Sequence, residues 1–295
     1  MRRTILTIVA LAALAALALP ATASAASGAD YLATRLQPGG GFAEAGSSNG
    51  AVALTAWAVM GLTAAGRHPE SMRRPGGHTP VYFMAAHVKQ FDDAYSLARA
   101  ILAVVAMDRT PYAFGGRNLV ASLRTKIASN GRIGLYQNST YWGVLALRAA
   151  NSPVPTASLN FIRSAQQSNG GYSWQGGAAP DSNDTAAAVM ALRSSGIPCE
   201  WNAVAHAYSY MHALQRSDHG YALTPSGAAD SQSTSWVVQA RRKCGLPNSG
   251  ALSYLFARQL PSGAFNYQPG RTVTPAWVTS QVLPATNGRS YPIRP

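Results

Sequence analysis

The side chains best suited to chemistry are grouped in one short segment, Asp181 to Ala186, which reads Asp-Ser-Asn-Asp-Thr-Ala. Two neighbouring carboxylates can divide the roles of general acid and general base. Helix capping is the alternative, because Asp and Thr oxygens accept hydrogen bonds from the free N–H groups of a first helical turn. Capping explains the segment without any chemistry. Asp181 and Asp184 are therefore only weak catalytic candidates, and the sequence commits no catalytic residue.

This segment is one of six related copies along the chain. Its threonine has counterparts every 40 to 49 residues, and the predicted set is Thr55, Tyr95, Thr140, Thr185, Thr234 and Pro275. Turns made of glycine and an aromatic residue precede several copies, as at Gly171 and Tyr172. Internal repeats of this period predict stacked supersecondary units. The units span residues 30–66, 82–108, 118–151, 157–196, 203–245 and 250–286, and the second is the most degenerate.

Each unit reads as a first helix, a glycine-rich turn and a second helix. The second helix of the fourth unit, Ala186 to Leu192, is apolar on nearly every face and is followed by Gly196. A helix that is apolar all round must be buried among neighbours. The second helices are therefore predicted to be inner and the first helices outer, which gives twelve helices in six hairpins.

The pattern Gly-Gly-Tyr, then Asp-Ser-Asn-Asp-Thr-Ala, then Ala-Leu-x-x-x-Gly resembles the repeats of terpenoid cyclases and protein prenyltransferases. The likeness covers nearly the whole chain after its N-terminal leader. It implies an all-α fold, an (α/α)6 toroid of six helical hairpins with inner and outer helix rings around a central cavity. The expected organisation is a signal peptide over residues 1–25, one toroid domain over 26–290 and a short C-terminal tail over 291–295.

The family's catalytic motifs are altered in this chain. Class II cyclases carry their acid in Asp-x-Asp-Asp-Thr-Ala, and the matching position here is Asn183, whose amide is no carboxylic acid. The prenyltransferase zinc ligands are missing, with Ser233 in the place of the histidine. Asp92 and Asp93 lack the third acid of a magnesium-binding Asp-Asp-x-x-Asp motif. The six histidines show no metal spacing. We therefore expect neither a metal nor a cofactor. Whether the protein is an enzyme stays open, and the altered motifs favour a protein without catalytic activity.

Large aromatic side chains recur near the start of the inner helices. Three tryptophans lie two residues after the repeat threonine, a fourth lies two after Pro275, and a tyrosine takes the threonine position of the second unit. In a ring these side chains either wedge between adjacent inner helices as core or line a cavity suited to an apolar ligand. The candidate ligand-binding residues are Trp57, Tyr95, Trp142, Trp236 and Trp277.

Two cysteines, Cys199 and Cys244, stand at equivalent places just around the glycines that end successive units. Equivalent ends of neighbouring repeats are close in space, so an exported chain is expected to join them in a disulfide. A catalytic thiol is the weaker interpretation, because no histidine occupies a matching repeat position.

The N-terminus reads as an export signal: Arg2 and Arg3 precede an apolar run from Ile5 to Leu19, and Ala-Ser-Ala follows at residues 23–25. That run is shorter than the roughly 20 residues that span a bilayer. The sequence therefore predicts a secreted or periplasmic protein without a transmembrane segment once the signal is removed. Its formal net charge of +13 is scattered. Attraction to an anionic cell-envelope surface remains open, whereas no motif indicates nucleic acid.

Two functions of different class follow. The first is a secreted binding protein that holds an apolar, isoprenoid- or lipid-like small molecule, or a partner, in the central cavity or at its rim. The second is a terpene cyclase- or mutase-related enzyme that acts on an isoprenoid without the usual acid. A corrinoid carrier-like binder is a further alternative by family likeness, although such carriers have a second domain.

Overall fold

The structure, a computed structural model, describes residues 27–295, so the predicted signal peptide lies outside the described residues. None of the described helices has the length and apolar character needed to cross a bilayer. Residues 27–295 form twelve α-helices and one short 3₁₀ turn, Val88–Gln90. The helices are α1 (Gly28–Arg35), α2 (Val52–Ala64), α3 (Pro80–Ala86), α4 (Ala94–Ala106), α5 (Leu119–Arg124), α6 (Gln137–Ala149), α7 (Thr156–Ser164), α8 (Ser182–Ser194), α9 (Asn202–Ala213), α10 (Ser231–Arg242), α11 (Ser249–Phe256) and α12 (Pro275–Thr286).

The helices close into a double ring. The even-numbered helices are inner: each contacts the next in chain order, and α12 contacts α2 again. The odd-numbered helices are outer, and each packs on the inner helix of the preceding unit, with α1 packing on α12. Successive hairpins therefore interlock instead of standing side by side. The predicted all-α toroid of six hairpins is confirmed.

Backbone contact closes the seam between the last and first units. A Cβ atom on Gly61 of α2 would lie 2.5 Å from the carbonyl oxygen of Ser280 in α12. Only glycine allows these two inner helices to approach so closely. The ring is thus sealed by main-chain packing as well as by side chains.

The repeat threonine ties each inner helix to the turn that precedes it. The Oγ1 atom of Thr185 accepts a hydrogen bond of 2.9 Å from the backbone N–H of Tyr172. Thr55, Thr140 and Thr234 accept equivalent bonds in the first, third and fifth units. This shared bond explains why the threonine recurs, because it satisfies a buried turn N–H that water cannot reach.

Two of the predicted counterparts are wrong. In the sixth unit Thr279 accepts the equivalent bond, from Phe265 at 2.9 Å, and Pro275 lies four residues earlier, in the first turn of α12. In the second unit Tyr95 lies two residues after the helix-capping residue Asp93. The repeat threonine lies four residues after its cap, so Leu97 occupies that position. This unit lacks the hydrogen-bonded turn, and nothing there requires a hydroxyl.

The predicted disulfide between Cys199 and Cys244 is formed, with the two Cα atoms 5.9 Å apart. Cys199 follows α8 and Cys244 follows α10. The bond therefore links the ends of two neighbouring inner helices.

The C-terminal segment after α12 turns back into the ring. Tyr291 and Ile293 are fully buried. The Arg294 guanidinium donates hydrogen bonds to the carbonyl oxygens of Arg148 and Ala149, at 3.1 and 2.9 Å, where α6 ends. These carbonyls lie in the last turn of α6, so the arginine side chain caps the C-terminus of that helix. The tail thus fills the ring from the end at which the inner helices terminate.

Candidate functional site

The opposite end of the ring carries the N-termini of all six inner helices, because outer and inner helices alternate and the inner ones run in one direction. We call this end the mouth. It is lined by the residue that lies two positions before the repeat threonine in each unit, and all six of these side chains are partly exposed. The mouth residues are Ala53, Tyr95, Asn138, Asn183, Gln232 and Trp277.

One helical turn deeper, a second layer closes the mouth from below. We call it the floor, and it consists of Trp57, Arg99, Trp142, Ala187, Trp236 and Gln281. The three indole rings are buried and touch across the ring: centroids lie 5.3 Å apart for Trp57 and Trp142, and 4.9 Å apart for Trp142 and Trp236. The Nε1–H of Trp236 donates to Oε1 of Gln281 at 3.1 Å. Ala187 of α8 is small, which leaves room for Trp142 and Trp236 to meet in front of it.

The mouth is divided by chemistry into two halves. In ring order, α12, α2 and α4 contribute Trp277, Ala53 and Tyr95, an apolar and aromatic half. The remaining helices contribute Asn138, Asn183 and Gln232, a half made only of amides. An amphipathic ligand would meet matching chemistry on both sides.

Two cavities border the mouth. The larger, of about 520 Å³, lies between the starts of α4 and α6 and is lined by Tyr95, Leu135 and Tyr136. The smaller, of about 460 Å³, lies beside the start of α12 and is lined by Gln232, Trp277 and neighbouring residues. Both volumes fall within the roughly 300–1,000 Å³ that small-molecule sites occupy.

The acidic pair of the fourth unit lies at the edge of the mouth. Asp181 caps α8, accepting a 2.8 Å hydrogen bond from the backbone N–H of Asp184. Asp184 itself is 8% exposed, and its carboxyl lies near the side chains of Asp181 and Asn138. Burial, followed by the charge of Asp181, raises the pKa of Asp184 to about 8. Burial also raises the pKa of Asp181. Burial therefore favours the protonated form of Asp184 more than that of an exposed carboxyl.

The raised pKa of Asp184 predicts a pH dependence of stability. Above pH 3.8 the unfolded chain loses the Asp184 proton, while the folded protein keeps it up to a pKa of about 8. The stability that the protonated group contributes is complete below pH 3.8 and is lost as pH rises through 8. Replacing Asp184 with asparagine keeps a donor to Asp181 and removes the titration. Between pH 6 and 7.5, we expect the wild type to lose about 2 kcal/mol relative to Asp184→Asn, measured by urea unfolding. Parallel stability curves would contradict the assignment.

The structure brings the five aromatic candidates together, although at different depths. Trp57, Trp142 and Trp236 lie in the floor, whereas Tyr95 and Trp277 lie one turn higher in the mouth. The ring centroid of Tyr95 is 6.2 Å from that of Trp142, and that of Trp277 is 6.2 Å from that of Trp57. Trp277 lies two residues before its repeat threonine and not two after it.

Three features of the site were missed in the sequence. Arg99 lies in the floor two residues after Leu97, and it would have been found had Leu97 been aligned with the repeat threonines. The amide half of the mouth was not recognised, because Asn138 and Gln232 belong to no motif that indicates a binding site. Tyr291 reaches the floor from the opposite end, with its ring 5.5 Å from Trp142, and no local signal places it there.

In the described part of the chain, no group of three or more His, Cys, Asp or Glu side chains is placed to hold a metal ion. The mouth offers aromatic rings, amides, one guanidinium and a carboxylic acid. Such a set can bind a ligand or donate a proton.

The sequence matches no protein-family profile and no curated protein. The structure, however, resembles solved toroids. A variant of the type II terpene cyclase MstE from Scytonema, in complex with geranylgeranyl dihydroxybenzoate, superimposes with a TM-score of 0.67 at 13% identity, over 88% of this chain and 95% of that one. A protein from Actinoplanes gives 0.64 at 16% identity, over 88% and 97%.

Protein geranylgeranyltransferase-I from Candida albicans, complexed with GGPP, gives a TM-score of 0.58 at 12% identity, over 79% of this chain and 82% of that one. These likenesses define the class of protein: the chain has the terpenoid cyclase/prenyltransferase-like α/α-toroid fold. The resemblance inferred from the repeats is confirmed at the level of fold.

Proposed function

We propose that this protein binds an apolar, isoprenoid- or lipid-like small molecule at the mouth of its ring. The observation that carries the proposal is the aromatic half of the mouth above a floor of three touching indoles. Tyr95 and Trp277 keep part of their surface exposed there, which costs free energy until an apolar group covers it. The two solved relatives that hold a prenyl-bearing ligand or GGPP support this ligand class.

The ligand lies in the mouth and not in a deep central cavity. Trp57 and Trp142 occupy the centre from above, and Tyr291 packs against both from below, with ring centroids 5.8 and 5.5 Å away. Among residues 27–295, side chains in such contact close the ring axis at this level. The site is therefore shallow, extending over the floor into the adjoining cavities.

Export is part of the proposal. The basic start, apolar run and Ala-Ser-Ala site of residues 1–25 support secretion, and the Cys199–Cys244 disulfide is compatible with an oxidising compartment. The net charge of +13 would favour attraction to an anionic envelope. The protein would then hold an apolar molecule outside the cytoplasm, where such molecules dissolve poorly.

Titration of the mature protein with farnesol, followed by tryptophan fluorescence, tests this function. We expect saturable binding, and we expect Tyr95→Ala to weaken it about tenfold, because aromatic anchors dominate such sites. Tyr112→Ala is the matched control. Tyr112 is partly exposed near the opposite end of the ring, where its hydroxyl donates to the carbonyl oxygen of Ala150. The absence of saturable binding, or equal losses in both variants, would refute the proposed site.

A second candidate function rests on Asp184. Burial favours the protonated form of this carboxyl at the edge of the mouth, and a carboxylic acid there could donate a proton to an alkene, the first step of an isoprenoid cyclisation. Incubation with squalene or geranylgeraniol, followed by mass spectrometry, tests it. Cyclised product that disappears in Asp184→Asn would favour the enzyme. Ligand recovered unchanged from both proteins would favour binding alone.

A further inference from the structure

One cation is built into the floor of the mouth. Arg99 lies in α4 one turn below Tyr95, in the layer that otherwise holds three tryptophans, an alanine and a glutamine. Its guanidinium carbon is 5.4 Å from the centroid of the Tyr95 ring. A charged side chain in an aromatic layer loses hydration, and it needs a partner to recover that loss.

Within residues 27–295, Arg99 has no such partner. It forms no ion pair there, and its Nε atom is shielded from water without a hydrogen-bond acceptor. The nearest acid, Asp93, is already engaged, because its Oδ1 accepts hydrogen bonds from the N–H groups of Tyr95 and Ser96 at 2.8 and 3.0 Å. Burial lowers the pKa of Arg99, and the charge of Asp93 offsets only part of this effect.

Native structures rarely leave a buried donor unpaired without a reason. Packing over the Tyr95 ring offsets only part of the hydration that the Arg99 guanidinium loses. A cation over a phenol ring is stabilised less than a cation in a hydrogen-bonded ion pair. The side chain also lies next to the open mouth and keeps some exposure. A group that enters the mouth can therefore reach it.

We propose that Arg99 receives the carboxylate of an amphipathic ligand whose apolar body lies on the aromatic half of the mouth. This inference rests on the proposed binding function and names the ligand class: apolar monocarboxylates. The guanidinium is planar and offers parallel N–H groups, a geometry that fits a carboxylate with two hydrogen bonds. The amides of Asn138, on the neighbouring helix α6, and of Asn183, on α8, can bind a second polar group.

The charges around the mouth favour one negative charge over several. Arg99 is the only cation among the twelve mouth and floor residues. Lys126 lines the larger cavity together with Asp92 and Asp93. Glu44 adds a carboxylate at the start of α12, where it accepts hydrogen bonds from two backbone N–H groups. At Arg99 a diphosphate would meet one guanidinium in a region that also holds Asp92 and Asp93, whereas Arg271 lines the other cavity, so the diphosphate gains less than a monocarboxylate does.

Three probes with the same fifteen-carbon chain separate these possibilities: farnesol, farnesoic acid and farnesyl diphosphate. We expect the wild type to bind farnesoic acid at least tenfold more tightly than farnesol, and more tightly than farnesyl diphosphate. In Arg99→Met the acid should lose this advantage over farnesol. Isothermal titration at fixed ionic strength measures all three, because exposed charge effects are screened by salt.

Arg258→Met is the matched control. Arg258 also lies over a tyrosine ring, 4.6 Å from the centroid of Tyr254, and its Nε atom also lacks a partner in the described chain, but it follows the outer helix α11. The preference for the acid should survive in this variant. In the absence of ligand, Arg99→Met should melt at a higher temperature than the wild type, because it removes an unpaired charge.

The outcomes distinguish the two proposals. Binding of farnesol without preference for the acid would overturn the role of Arg99 and leave the binding function intact. A preference that survives Arg99→Met, or tighter binding of the diphosphate, would overturn it as well. Failure of farnesol and farnesoic acid alike to bind would refute the binding function itself. The wild-type comparison needs no variant, so it decides the matter even if Arg99→Met folds poorly.

Discussion

Replacing Tyr291 with alanine is expected to lower the free energy of unfolding by about 3–5 kcal/mol, the range for large-to-alanine changes at buried aromatic positions. The side chain is fully buried, and its ring contacts those of Trp57 and Trp142 in the floor. Truncation leaves a cavity in the middle of the ring that inner helices cannot move together to fill. Urea unfolding monitored by circular dichroism measures the loss.

Tyr291→Phe is the control that separates packing from hydrogen bonding. The phenol oxygen of Tyr291 is buried without a partner in the described chain, and burial raises the pKa of the phenol well above its usual range. Removing an unsatisfied hydroxyl should leave stability unchanged or improved. A loss below about 1 kcal/mol in the alanine variant would show that the tail does not fill the ring.

Removing the disulfide is expected to cost about 4 kcal/mol. The bond between Cys199 and Cys244 closes a loop of 45 residues, and the chain-entropy relation for that length gives this value at 25 °C. The double variant Cys199→Ala, Cys244→Ala removes the cross-link with little change in side-chain volume. Its unfolding midpoint, compared with that of the oxidised wild type, measures the effect.

Reduction provides the internal control for this prediction. Dithiothreitol should lower the midpoint of the wild type to that of the double variant and leave the double variant unaffected. Equal midpoints for the oxidised wild type and the double variant would mean that the cross-link adds nothing. A midpoint in the double variant below that of the reduced wild type would instead reveal lost packing around the sulfur atoms.

The architecture could be predicted from the sequence because interactions between residues close in sequence define each repeat. The glycine-aromatic turn, the threonine that accepts its N–H group and the apolar second helix are all short-range features. Five units with the threonine bond and one degenerate unit determine the number of hairpins, the inner and outer roles of the helices, and the placement of Cys199 beside Cys244. In the sixth unit, Pro275 was taken for the repeat position, which Thr279 occupies four residues later. Four residues are about one helical turn, so both positions lie on nearly the same face of α12.

The site was predicted less completely, because it depends on which side chains meet across the ring. The tryptophans were recognised, but their mutual contact follows from Ala187 being small, on a helix between two of them. Arg99 escaped notice because its unit lacks the repeat threonine. The position of Tyr291 depends on a long-range return of the chain, and no residue near it in sequence specifies that return.

Closure of the ring affects how the protein unfolds. In an open array of repeats, the terminal units have one neighbour each and fray first. Here α12 returns to α2, and each outer helix packs on the unit before it, so no unit is terminal. Detaching one hairpin uncovers apolar surface on both sides at once. We therefore expect the protein to unfold in a single cooperative step. Partly unfolded states, which would expose its interior to proteases, should not accumulate.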